Sequence, residues 1–334
     1  MKKFLHFWFA IIFVLLLPDF CTSQPAKANG LYVVEPAGAF TGYESDGMRN
    51  GIVTRIFDTI FGRTSFRLKV PFAVLALDST RWVVLDQGLQ AVIFVDHRRK
   101  RQKIILGPKG IRFPSLIAVT WDGKRYVYFT DSNLGRIFRF SVGKLKLEVV
   151  NQDSVLHQPT GIAFSAKEQC LWVVETKKHR LVKLSPDGKI LAAVGRRGTE
   201  PGEFNYPMAV ATDSAGRIYV IDAMNFRIQI LDSRGNVVRV FGEAGDATGY
   251  FSRPKGIAVD HYGHIYVTDV LFHTVQIFGE DGSFLYNFGN QGHSLGQFWM
   301  PSGIYVDEAN RIYVADTYNS RVQVFRLRRR SDEQ

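Results

Sequence analysis

Pro254-Lys255-Gly256-Ile257-Ala258-Val259-Asp260 leads into Gly263-His264-Ile265-Tyr266-Val267-Thr268-Asp269, and then into Thr274-Val275-Gln276-Ile277-Phe278. Each run is short, rich in β-branched and aromatic residues, and bounded by glycine or acidic residues. The stretch therefore reads as three consecutive strands joined by tight turns. The same unit precedes it at residues 207–213, 216–222 and 227–231, and follows it at 301–307, 310–316 and 321–325. Residues 236–242 and 283–289 supply a fourth strand to their units.

Looser copies lie upstream. The leading prolines fall at 71, 114, 159, 207, 254 and 301, with separations of 43, 45, 48, 47 and 47. The acids that end the second strand fall at 86, 131, 175, 222, 269 and 316, with separations of 45, 44, 47, 47 and 47. Two landmarks in constant phase at this period match one four-stranded propeller blade. The fold class expected is an all-β, six-bladed propeller of four-stranded antiparallel blades. The last unit ends soon after its third strand, which would leave an open sheet edge. An N-terminal strand is expected to fill that place and close the ring, with residues 52–57 or 59–62 as the candidates.

The repeated residues have local physical roles. Proline lacks an N–H and suits the entry to an inner strand. Asp222, Asp269 and Asp316 follow apolar strands, where a carboxylate accepts hydrogen bonds from turning backbone. Their repetition points to structure, because six equivalent acids cannot single out a catalytic pair. Phe204, Phe251 and Phe298 each stand three residues before a leading proline and are expected to be packing anchors.

With those residues in view, the units resemble NHL repeats, a propeller family with proline-led first strands and an acid before an Asn- and Arg-containing turn. Asp222-Ala223-Met224-Asn225-Phe226-Arg227 and Asp316-Thr317-Tyr318-Asn319-Ser320-Arg321 carry the motif best. Asp131 with Arg136 and Glu175 with Arg180 keep its ends, whereas the turns after Asp86 and Asp269 lack the arginine. The resemblance covers roughly residues 50–326. It implies a binding platform, although related six-bladed propellers include metal-dependent lyases and lactonases.

The N-terminus reads as a targeting segment: Lys2 and Lys3 precede a 14-residue, nearly uniform apolar run ended by Pro18 and Asp19. The domain reading is a secretory signal or anchor at 1–23, an extension at 24–50, the propeller at 51–327 and a basic, polar tail at 328–334. Export to the periplasm or the cell exterior is expected, with possible membrane anchoring or lipidation at Cys21. Cys170 lies in an apolar run and is expected to be a buried small hydrophobe.

The formal charge is +11. Residues 1–23 hold two lysines and one aspartate, so the remainder keeps 40 basic against 30 acidic residues. That excess favours acidic partners or anionic surfaces, with Arg98-Arg99-Lys100-Arg101 and the arginines at 326 and 328–330 as the basic runs. Behind an export signal it argues against nucleic acid.

Loops from all blades of a propeller converge around one opening. The candidate binding face comprises Arg112, His157, Tyr206, Arg253, Lys255, Phe272, Trp299 and Tyr318, suited to an envelope or secreted protein or peptide. Lys255 follows a leading proline, where other units place Phe72, Ser115, Thr160, Met208 or Ser302, and is expected to face the axial opening. The enzymatic alternative is a metal-dependent lyase or hydrolase using His157, His273 and His293. No glycine-rich phosphate loop or paired-cysteine haem motif is present, so no cofactor is expected.

Overall fold

The computed structural model describes residues 26–27, 32–43, 67–110, 112–151 and 156–329. Five four-stranded antiparallel sheets and one five-stranded sheet form six blades. The inner strands are Pro71–Ala76, Leu116–Trp121, Pro159–Ser165, Pro207–Thr212, Pro254–Val259 and Pro301–Val306, which head blades 1 to 6. Each inner strand contacts the next, and that of blade 6 contacts that of blade 1, so the ring closes.

The core consists of apolar clusters sandwiched between adjacent blades. Tyr219, Ile221 and Ile230 of blade 4, for example, pack with Ile257, Val267 and Phe278 of blade 5. Phe204, Phe251 and Phe298 are fully buried, as expected of anchors. The rings of Phe204 and Phe298 fill the space that a side chain at Gly195 or Gly289 would need, and both glycines sit at positive φ. Cys170 is 2% exposed, and burial pushes its thiol up to about 11.

Closure uses the N-terminus, but through a different segment from those expected. Tyr32–Phe40 pairs antiparallel with Arg321–Arg329, from Tyr32 opposite Arg329 to Phe40 opposite Val322. Ala26–Lys27 adds a fifth, two-residue strand outside it. The closing strand thus comes from within the 24–50 extension, while residues 52–57 and 59–62 lie outside the described residues. Pro36 and Gly38 both disfavour a regular strand. The register shifts between them, and a bulge is the place where a sheet tolerates such residues.

A second correction concerns blade 2. Leu116, not Pro114, stands opposite Asp131, as Pro71 stands opposite Asp86 and Pro254 opposite Asp269. The residue after the strand leader in blade 2 is therefore Ile117 instead of Ser115. Proline at this entry is favourable but not required, because a buried leucine (0% exposed) occupies the same place.

Candidate functional site

Every inner strand shifts register immediately after its leader, between Pro71 and Ala73, Leu116 and Val119, Pro159 and Ile162, Pro207 and Ala209, Pro254 and Gly256, and Pro301 and Ile304. Bulges of this kind re-aim side chains. The re-aimed positions are Phe72, Ile117, Thr160, Met208, Lys255 and Ser302, and four of these line an axial cavity of about 80 Å³: Phe72, Ile117, Met208 and Lys255. The other two are held by hydroxyl hydrogen bonds. Thr160 Oγ1 lies 2.8 Å from Thr176 Oγ1, and Ser302 Oγ donates to the Phe72 carbonyl at 2.7 Å.

The next residue along each inner strand is always small: Ala73, Ala118, Gly161, Ala209, Gly256 and Gly303. A Cβ on Gly161 would stand 2.7 Å from Ala209 Cα, and one on Gly303 equally close to Ala73 Cα. The inner strands are packed backbone against backbone, which keeps the channel narrow.

At the leader end, the six acids fasten the loop face. Asp316 accepts from Trp299 N–H at 2.7 Å, Asn319 Nδ2 at 2.9 Å, Arg321 Nε at 2.7 Å and Gln323 Nε2 at 2.9 Å. Asp222 repeats this set with Asn205 N–H, Asn225, Arg227 and Gln229. Where the arginine is absent, backbone donors replace it: Asp86 accepts from the N–H groups of Lys69, Val70 and Leu89. Glu175 is buried, which would raise its pKa, but the His157 N–H and the Arg180 side chain outweigh burial and lower it. These acids hold the turns in shape and leave few lone pairs for chemistry.

The tips of those turns form the exposed surface. Two residues after the acid stand Gly88, Asn133, Lys177, Met224, Leu271 and Tyr318 in blades 1 to 6. The apolar three are all exposed, Met224 by 55%, Leu271 by 53% and Tyr318 by 60%. Blades 4 to 6 therefore carry an apolar crescent, and blades 1 to 3 a more polar arc, interrupted by Leu134, which is 43% exposed. Trp299 and Tyr206 are exposed on the same half. Trp299 lies 6.3 Å from Tyr318 and 4.9 Å from His293, ring centroid to ring centroid.

The other expected residues distribute as follows. Phe272 is half-buried in the blade 5 turn, its N–H on Asp269. Arg253 is exposed, with its N–H also on Asp269. Arg112 is exposed on the polar half and donates to the Leu89 carbonyl at 2.9 Å. Lys255 lies on the channel wall, with Nζ 5.1 Å from the centre of the Phe72 ring. Burial, with Arg253 adding like charge, holds its ammonium below the ordinary lysine range.

The three histidines of the enzymatic alternative are each engaged at Nδ1 with a different partner. His157 contacts Glu175 Oε1 at 2.9 Å, His293 contacts Asn319 Oδ1 at 2.6 Å, and His273 accepts the Met300 N–H at 3.0 Å. Among the described residues, no group of three or more His, Cys, Asp or Glu side chains is placed to hold a metal ion. His273 and His179 have a role the sequence reading missed. Each sits at positive φ just before a third strand and accepts an N–H from the residue ahead of the next blade's leading proline, Met300 and Tyr206 respectively. Their shared offset from the acid was the available signal.

Comparison with known proteins agrees with this architecture. The NHL repeat family matches residues 298–325. Human NHL repeat-containing protein 3 is 52% identical over 42 residues, spanning 13% of this chain and 12% of that protein. An auxiliary nutrient binding protein from Bacteroides thetaiotaomicron superposes with a TM-score of 0.62 at 11% identity, covering 90% of this chain and 77% of that one. Virginiamycin B lyase from Staphylococcus aureus superposes with a TM-score of 0.57 at 14% identity, covering 77% and 95%. At such identities the structural likeness shows the fold alone. The chain is a six-bladed β-propeller whose last blade carries an NHL-repeat match.

Proposed function

We propose that this protein is an exported, non-catalytic binding scaffold that engages a protein or peptide through the loop face of blades 4 to 6. The observation that carries this reading is the apolar crescent of Met224, Leu271 and Tyr318, flanked by Tyr206 and Trp299. Exposed apolar surface rimmed by polar residues is costly in water and characteristic of contact sites, and Trp and Tyr are enriched among the residues that dominate binding energy. The charged N-terminal pair and apolar run support export. The exposed basic hairpin around Arg98–Arg101 offers a second, electrostatic contact to an anionic surface.

We further read all six blades as NHL repeats, five of them divergent. In each, a buried acid ends the second strand opposite the strand leader. A binding protein built this way needs no turnover. The fold likeness to a lyase does not carry catalysis across at 14% identity.

The test is capture from an envelope and culture-supernatant fraction on immobilised protein, followed by titration of the captured partner. Trp299→Ala combined with Tyr318→Ala should weaken binding at least tenfold, about 1.4 kcal/mol, while leaving the sheet spectrum intact. Unchanged affinity in a folded double variant would refute the site.

A further inference from the structure

The axial cavity carries an unbalanced charge. Its lining comprises strand-leader bulge residues, the small residues beside them and a ring of valines and isoleucines. Lys255 is the one charged residue among the lining residues, and no carboxylate lines the cavity with it. Among the described residues Nζ has no hydrogen-bond or ion-pair partner; its neighbour is the Phe72 ring. Arg253, two residues earlier in the chain, adds charge of the same sign. An ammonium drawn into an apolar wall without a counter-ion is costly, and an anion arriving at Nζ removes that cost.

Volume and position define what that anion is attached to. A cavity of about 80 Å³ is small beside the roughly 300–1,000 Å³ of pockets that enclose a whole drug-sized ligand. A carboxylate with one small apolar substituent fits, and the rest of any larger ligand must lie outside. Lys255 belongs to blade 5, in the middle of the crescent formed by blades 4 to 6, so the outer part of such a ligand would lie on Met224, Leu271 and Tyr318. On blades 1 to 3 the loop face exposes Leu106 and Leu134 but, among the described residues, no aromatic side chain.

We propose that the channel mouth receives the C-terminal carboxylate of a peptide chain, with the carboxylate on Lys255 Nζ, a small last side chain beside Phe72 and Met208, and the preceding residues on the apolar crescent. This inference rests on the loop-face reading above and adds to it the polarity and the anchoring end of the ligand. A free small organic acid shares the carboxylate chemistry but would leave the crescent unused.

The test uses the folded protein labelled with ¹³C at lysine Cε, and the variant Lys255→Met. Methionine is the residue blade 4 already carries at this position, Met208, so the variant is compatible with the ring. The probes are propionate and propionamide, and acetyl-Tyr-Leu-Ala as the free acid and as the C-terminal amide. One lysine Cε resonance, absent in Lys255→Met, should move saturably with propionate and not with propionamide. The peptide acid should bind at least tenfold more tightly than the amide, and the preference should vanish in Lys255→Met.

Equal binding of acid and amide to the wild type overturns the proposal and leaves the loop-face reading standing. A propionate response without any acid preference among the peptides overturns the chain-end assignment in favour of a small acid. No response to any acid overturns both assignments. The Trp299→Ala, Tyr318→Ala variant tests the other reading separately. It should weaken acid and amide peptides alike, and an acid preference with no effect of this pair would remove the crescent while retaining the carboxylate site.

Discussion

Replacing Asp316 by alanine should cost about 3–5 kcal/mol of stability, the range for removing one partner of a buried ion pair. The carboxylate is fully buried and receives four donors, one of them the Arg321 guanidinium. Summing those bonds at about 1.5–3 kcal/mol each for charged groups would exceed the expected loss, because the donors do not all become orphans. Arg321 keeps the carbonyls of His293, Ser294 and Gln297, and Gln323 Nε2 keeps the Gln297 carbonyl. The Trp299 N–H has no such reserve in its hydrogen bonding, so the strand entry of blade 6 should loosen first. Urea denaturation followed by circular dichroism gives the global loss, and tryptophan fluorescence reports the local change at Trp299. Asp222→Ala, with the same donor set, should behave alike. A loss below about 1 kcal/mol in both variants would refute the assignment of these acids as the clamps of the loop face.

Two further outcomes follow from the packing. Gly161→Ala places a methyl group 2.7 Å from Ala209 Cα, so the ring must expand locally; overpacking of this kind should cost about 1–3 kcal/mol by the same denaturation assay, and a neutral result would show that the channel is looser than described. His273 is held below the ordinary histidine range by burial, against the opposing pull of Asp316 and Asp269. The unfolded chain therefore binds its proton first: the contribution is complete above about pH 6.5 and is lost as pH falls from there toward the lowered folded value. His273→Gln should flatten the stability difference between pH 7.5 and 5.5, and an unchanged slope would exclude the imidazole as its source.

The parts of this molecule that repeat were legible in the sequence, and the parts that occur once were not. Apolar strands and terminal acids recurred in phase, so a structure of six blades could be read before any contact was known. Pro114 misled because it lies near the true leader, and only pairing with Asp131 reveals that Leu116 holds the place. Tyr32–Phe40 has no counterpart elsewhere and carries Pro36 and Gly38, residues that read as breakers until a bulge accommodates them. The candidate face was partly legible. Phe272, Trp299 and Tyr318 stand out in the sequence because their positions vary among units, and the turn sequences also place Met224 and Leu271 beside them; that Phe272 is half-buried while Met224 and Leu271 are exposed is set by tertiary packing. Lys255 was identified as axial, but its isolation from any carboxylate belongs to tertiary structure.

The pairing of Tyr32 with Arg329 at one end and Phe40 with Val322 at the other has a mechanical consequence. The chain enters the closing strand at Tyr32 and leaves its neighbour at Arg329, so tension applied through the two flanking segments pulls on the same end of the ladder. The load then falls on one rung at a time, as in a zipper, instead of being shared by all rungs in shear. The ring should open by peeling from the Tyr32 end at low force, while the five blades closed by their own hairpins remain intact.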